Sequence, residues 1–138
     1  MSDSVCWGLL GTARINRRMV PAIRADRRSR VVAIASRDAA RGAAAAREWD
    51  IPHAVGYEEL LRREDVTAIY IPLPNSLRCE YAVGAARAGV HVLCEKPMAV
   101  TEAECETMIA ATEAHRVKLM VAYRLHFERA TLEAIEAV

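Results

Sequence analysis

Lysine is scarce in this 138-residue chain: it occurs only at Lys96 and Lys118, and arginine supplies the rest of the 19 basic residues. Aromatic residues are also few, at 5%. An excess of either charge is missing, since 19 basic side chains face 18 acidic ones and leave a formal charge of +1. That balance gives no general attraction to nucleic acid or to an anionic membrane. Arg24, Arg27, Arg28 and Arg30 cluster in sequence, but no aromatic residues interleave with them as a nucleic-acid platform would require, so they read as a solvated helix end. Long apolar runs are missing too. Stretches such as Val5–Leu10 and residues 68–73 fall far short of the roughly 20 residues a spanning helix needs. The start, MSDSVCWGLL, is acidic before it is apolar and lacks the basic region of an export signal. Neither a nucleic-acid nor a membrane partner is expected, and the cytoplasm is the expected compartment. Cys6, Cys79, Cys94 and Cys105 form no C-x-x-C pair, and His53, His91, His115 and His126 keep no ligand spacing with them, so no metal site is expected. Cys6 and Cys94 sit in apolar runs, where a reduced thiol behaves as a small hydrophobe.

What is present is a chain of one-domain length, 53% apolar and 27% charged. Short β-rich runs alternate with longer helical ones. Strands are predicted at Val5–Leu10, 31–36, His53–Val55, 67–71, 90–94 and 118–123. Helices are predicted over 14–25, 38–49, from Tyr57, over 76–88, over 101–115 and over 127–138. Continuous apolar strands separated by helices signal a parallel sheet covered on both faces, because a half-exposed strand would alternate. The fold class is therefore α/β, a doubly wound parallel sheet. Gly89 has the place of a left-handed helix cap, and Thr101 with Glu104 has the spacing of a capping box. These boundaries put Glu95, Lys96 and Pro97 in the loop at the carboxyl end of a strand, where ligands of open parallel sheets bind.

The first strand runs into Gly11-Thr12-Ala13-Arg14-Ile15-Asn16. Against a G-x-G-x-x-G turn, Gly11 takes the first position, Ala13 the second and Asn16 the third. One methyl at the pyrophosphate approach is tolerable, whereas Asn16 is a genuine departure where close helix–strand contact is wanted. A purely structural strand-to-helix turn is the competing reading. The context favours nucleotide, since free N–H groups at a helix start can face a phosphate. The second strand ends in Ser36-Arg37-Asp38, at the separation where a ribose-recognising residue belongs. A hydroxyl and a guanidinium, with Arg41 one turn onward, suit the 2′-phosphate of NADP(H) better than the ribose diol of NAD(H). The alternative is that Asp38 caps the next helix and Arg37 is merely solvated.

Ile69-Tyr70-Ile71-Pro72-Leu73-Pro74-Asn75-Ser76-Leu77, followed by Ala88-Gly89-Val90-His91-Val92-Leu93-Cys94-Glu95-Lys96-Pro97, closely resembles the Gfo/Idh/MocA family of NAD(P)-dependent oxidoreductases. Residues 7–15 and 121–127 look like that family's first turn and sixth strand, so the resemblance covers essentially the whole chain. It implies a Rossmann fold with Lys96 beside the nicotinamide and the reacting carbon. A compact ammonium there would hydrogen-bond a substrate oxygen and exchange a proton if burial lowers its pKa. Glu95 and Pro97 would fix its loop, and Pro72, Leu73, Pro74 and Asn75 would line the nicotinamide half. The coenzyme set expected from spacing and resemblance together is Gly11, Thr12, Ala13, Arg14, Ile15, Ser36, Arg37, Arg41, Pro72, Leu73, Pro74, Asn75, Glu95, Lys96 and Arg124.

Arg78 departs from the family pattern, which commonly has histidine at that position. It either alters coenzyme binding or is a solvated residue on a first helical turn. The family also continues into a second domain that carries the substrate pocket. Residues 1–125 are therefore expected to be the coenzyme domain and 126–138 the start of a connection to a domain absent from these residues. The expected function is the coenzyme-binding half of an oxidoreductase that moves a hydride between NADP(H) and a sugar, polyol or related cyclic hydroxyl compound. The branch suggested is the one resembling glucose-fructose oxidoreductase. The alternative is a non-catalytic NADP(H)-binding or regulatory module. Apolar surface left by a missing domain would favour self-association.

Overall fold

The computed structural model describes residues 4–137. Six parallel strands form one sheet in the order β3-β2-β1-β4-β5-β6: β1 Val5–Leu10, β2 Ser29–Ala35, β3 His53–Val55, β4 Ala68–Ile71, β5 His91–Glu95 and β6 Leu119–Ala122. The helices are α1 Asn16–Ala25, α2 Ala39–Glu48, α3 Tyr57–Leu61, α4 Asn75–Arg87, α5 Glu102–Ala114 and α6 Arg129–Glu136, with a 3-10 turn at Arg124–Phe127 before the last. Val138, where the sequence ends its last predicted helix, and the acidic start at 1–3 lie outside the described residues.

Alternation along the strands splits the core into two faces. Leu9, Ile34 and Tyr70 point to one side, where Val20 and Ile23 of α1 and Ala45 and Ala46 of α2 cover them. Leu10, Ala33, Ala35, Ile69, Ile71, Val92 and Cys94 point to the other, packed by Leu60 of α3, Ala82 and Ala85 of α4 and Met108 of α5. Burying each of the larger side chains contributes about 1.5–3 kcal/mol. The doubly wound arrangement thus follows from strands that are apolar on both sides.

Helix ends carry the expected punctuation. Thr101 accepts from the Glu104 N–H at 3.2 Å while the Glu104 carboxylate accepts from the Thr101 N–H at 3.3 Å, completing the capping box. Gly89 has φ +75° beyond α4. Asp50 and Arg116, at φ 49° and 55°, end α2 and α5 in the same region without glycine.

Boundaries move by a residue or two in several places, β2 running Ser29–Ala35 rather than 31–36, and three further shifts change the local picture. α1 begins at Asn16 rather than at residue 14, because Thr12 to Ile15 form the turn. Glu95 is the last residue of β5, paired with Ala122 of β6, so the loop proper starts at Lys96. The final segment is divided, with Glu128 extended between the 3-10 turn and α6.

Candidate functional site

The strand order reverses direction between β1 and β4, and a cleft of about 490 Å³ opens above their carboxyl ends. In open α/β sheets this crevice is where ligands bind. Gly11 forms its floor at φ +116°, a region that disfavours side chains, and a Cβ there would stand 3.1 Å from Leu73 Cδ2. Its N–H donates to the Ala35 carbonyl at 3.0 Å, tying the tip of β1 to that of β2. Gly11, Thr12, Ala13, Ser36, Arg37, Asp38, Arg41, Tyr57, Pro72, Leu73 and Pro74 line the cleft, so nine of the expected coenzyme residues meet there.

The third position of the glycine turn is solved in an unexpected way. Asn16 is fully buried, and its Nδ2 donates to the Gly11 carbonyl at 2.8 Å. The amide therefore braces the turn from beneath, so the bulk that marked it as a departure fills space between helix and strand. Its Oδ1 is buried without a partner. Among the described residues, no protein acceptor faces the backbone N–H groups of Thr12 and Ala13, which leaves two donors at the cleft. Such a cradle fits a pyrophosphate.

Beside the tip of β2, Arg41 Nη2 lies 3.3 Å from Thr12 Oγ1. Asp38 accepts from the Arg41 N–H at 3.0 Å, so the carboxylate nearest the tip of β2 caps α2, as the competing reading had it. Arg37 is exposed on the cleft wall. Arg14 lies elsewhere: with Arg17, Arg41, Glu48 and Trp49 it lines a smaller hollow of about 210 Å³ that adjoins the cleft through Thr12, Ala13 and Arg41. Ile15 is exposed at the start of α1 and lines neither.

Beyond β5, the side chain of Glu95 joins two neighbours. Tyr70 Oη donates to its Oε1 at 2.7 Å, and the Lys96 N–H donates to its Oε2 at 3.1 Å. Burial, and next the adjoining carboxylate, push the Tyr70 hydroxyl well above the usual tyrosine range. Lys96 is exposed, and its bond to Pro97 is cis. Asn75 opens α4. Arg124 sits in the 3-10 turn after β6, with its side chain 72% exposed and 3.4 Å from Glu128. Asn75, Glu95, Lys96 and Arg124 do not line the cleft, although β4, β5 and β6 bring them to the same edge of the sheet.

Arg78 is 8% exposed, which removes its reading as a solvated residue. Its Nε donates to the Leu73 carbonyl at 2.9 Å, and its Nη1 reaches the carbonyls of Glu95, at 3.1 Å, and of Pro97.

The sequence profile described as "Oxidoreductase family, NAD-binding Rossmann fold", that of Gfo/Idh/MocA, matches residues 5–123. The chain belongs to this family. Gfo/Idh/MocA relatives include a D-xylose 1-dehydrogenase (NADP(+)) from Haloferax volcanii, 42% identical over 134 residues, which are 96% of this chain and 41% of that protein. A 1,5-anhydro-D-fructose reductase from Ensifer adhaerens is 46% identical over 111 residues, 78% of this chain and 33% of the relative. Among solved structures, the 3-ketoreductase KijD10 from Actinomadura kijaniata, in complex with TDP-benzene and NADP, superposes with a TM-score of 0.90 at 33% identity, over 96% of this chain and 42% of that one. The chain thus spans about two-fifths of the length of the first curated relatives it matches.

Tyr57, Tyr70 and the brace by Asn16 escaped the sequence reading. Tyr57 follows Gly56 in a stretch whose strand is only three residues long, and nothing local marks it as facing the cleft. Tyr70 looks like any apolar strand residue, because its partner is 25 positions away.

Proposed function

We propose that this chain is the coenzyme-binding half of an NADP-dependent oxidoreductase that transfers a hydride between the nicotinamide and a sugar, polyol or related cyclic hydroxyl compound. The observation that carries the coenzyme choice is the tip of β2. Ser36, Arg37 and Arg41 line the cleft there, while the nearby carboxylate of Asp38 is engaged by the start of α2. Guanidinium groups recognise a phosphate through charge-assisted, often paired hydrogen bonds, and a free carboxylate in that place would repel it. The NADP named for the xylose dehydrogenase and bound in KijD10 agrees with this choice.

The bound coenzyme would carry the hydride, NADPH giving it up or NADP+ taking it. The residues of the chain would hold and orient the coenzyme: the Thr12 and Ala13 N–H groups at the pyrophosphate, Arg14 and Ile15 at the opening of α1, and Pro72, Leu73, Pro74 and Asn75 at the nicotinamide half. Lys96, exposed beyond β5, would donate to a substrate oxygen and carry its proton, with Glu95 holding the loop and Arg124 approaching from β6. Acid–base work needs its donor within hydrogen-bond reach of the reacting oxygen, and an ammonium on a four-carbon stem with rotatable donors suits that need. Sugar substrates agree with the xylose, anhydrofructose and ketosugar enzymes among the relatives.

Residues 1–125 would form the coenzyme domain and 126–138 the start of a connection to a further domain. Phe127, Leu132 and Ile135 are 58%, 42% and 56% exposed, and such apolar surface needs cover or favours self-association. Light scattering over a range of concentrations reads the second outcome. All four cysteines are free, in keeping with a cytoplasmic protein.

Titration calorimetry with NADP+ and NAD+ tests the coenzyme reading. NADP+ is expected to bind at least about tenfold more tightly. Equal affinities, or a preference for NAD+, would overturn it. A hydride-transfer assay against aldoses and polyols, on a chain long enough to carry the substrate pocket, tests the reaction.

A further inference from the structure

Arg78 is a buried cation that connects the ends of two different strands. From the first turn of α4 its Nε holds the Leu73 carbonyl, in the loop after β4. Its Nη1 reaches over to the carbonyls of Glu95, the last residue of β5, and of Pro97, in the loop that follows, one on either side of Lys96. The contact with Asn75 Oδ1, at 3.5 Å, is long and adds little. Among the described residues no carboxylate forms an ion pair with it, so main-chain carbonyls carry the buried charge. A buried charge is tolerated only when hydrogen-bonded in this manner.

The side chain required for this bridge is narrowly defined. A guanidinium offers five N–H donors in a rigid fork, whereas a neutral imidazole offers one donor and an ammonium presents a single point of charge. Only the fork can serve Leu73 on one edge and the two carbonyls flanking Lys96 on another. Arg78 does not line the cleft, and its shorter hydrogen bonds all go to main-chain carbonyls, so it acts through the backbone that carries the cleft wall and Lys96.

We propose that Arg78 is a positioning residue, locking the loop after β4 to the loop after β5 so that the nicotinamide wall and Lys96 stand at a fixed separation. The proposal rests on the coenzyme reading given above. Loss of the lock leaves the adenosine end, at Ser36, Arg37 and Arg41, untouched, and loosens the other end alone.

The test compares two ligands on the 138-residue chain and its Arg78→Gln and Arg78→Lys variants. Adenosine 2′,5′-bisphosphate probes the adenosine end, and NADP+ probes both ends. In the parent chain NADP+ is expected to bind more tightly than the bisphosphate. In Arg78→Gln that advantage is expected to shrink about tenfold, the loss of one or two hydrogen bonds to a charged group, while the bisphosphate constant moves by less than about twofold. Arg78→Lys keeps the charge without the fork and is expected to recover little of it. A second readout uses the scarcity of lysine. After reductive 13C-methylation, Lys96 and Lys118 give the two side-chain signals, and NADP+ is expected to shift only that of Lys96 in the parent chain and to shift it less in Arg78→Gln.

An unchanged NADP+ advantage in Arg78→Gln overturns the proposal, as does full recovery by lysine, which would assign the effect to charge. Loss of bisphosphate binding in both variants also overturns it, because Arg78 would then serve the fold as a whole. If the parent chain binds neither ligand, the coenzyme reading fails first and this proposal falls with it.

Discussion

Tyr70 Oη stands 2.7 Å from Glu95 Oε1, joining the centre of β4 to the last residue of β5. The other carboxylate oxygen accepts from the Lys96 N–H, so a fully buried phenol on one strand orients the residue that starts the candidate catalytic loop on the next. Tyr70→Phe deletes one hydroxyl and preserves the ring's packing. It is expected to lower stability by about 1.5–3 kcal/mol, the usual worth of a hydrogen bond to a charged group, with the native circular dichroism spectrum intact. Urea denaturation at neutral pH measures this, and an unchanged midpoint would show that Glu95 is equally well satisfied by water.

Asn16 provides the second expectation. Its Nδ2 is the donor beneath the Gly11 carbonyl, and replacing the amide by a carboxylate of the same shape, Asn16→Asp, sets an acceptor against an acceptor in a site with no solvent access. The expected loss is about 3 kcal/mol at neutral pH, since a buried unpaired charge must either stay uncompensated or take up a proton. Asn16→Ala, which removes the bond without adding charge, is expected to cost about 1–2 kcal/mol. Denaturation curves of both variants give the comparison, and equal losses would mean that water reaches the site.

The sequence made the fold and half of the site legible for a physical reason. Strand and helix periods, the caps at Gly89 and Thr101, the turn at Gly11 and the basic tip at Arg37 are all written within a few residues of one another. The connections between strands are not. Arg78 bonds across 5, 17 and 19 positions, and Tyr70 across 25, so their roles depend on which strands become neighbours. Asn16 was visible as an exception to a glycine pattern, but its brace is a property of side-chain direction at the start of α1. Asp38 held two readings that local sequence could not separate, and its bond to the Arg41 N–H selects the cap.

The basic tip of β2 yields a prediction on specificity. Arg37 and Arg41 line the cleft beside Thr12 and Ser36. Replacing both arginines by alanine is expected to weaken NADP+ about 100-fold, as two charge-assisted contacts to a phosphate disappear. NAD+, which lacks that phosphate, is expected to change by less than about threefold. Calorimetric titration of both coenzymes decides it. Equal weakening of the two would place these guanidinium groups at the pyrophosphate that the coenzymes share.

Cys94 gives a dependence on pH. It is fully buried at the end of β5, and desolvation pushes its thiol from the ordinary 9.0 up to about 11, with Arg78 opposing the rise and Glu95 adding to it. Because the folded value lies above the unfolded one, the unfolded chain loses its proton first as pH rises. The contribution is therefore complete below about pH 9 and disappears progressively toward about pH 11. The gap corresponds to about 3 kcal/mol. Tyr70 rises for similar reasons, so wild type alone would mix the two, whereas comparison with Cys94→Ala isolates the thiol. Urea denaturation of both chains from about pH 8 to about pH 11 should show wild type losing its stability relative to the variant across that interval. A difference that stays constant with pH would mean that the thiol ionises alike in the folded and unfolded chain.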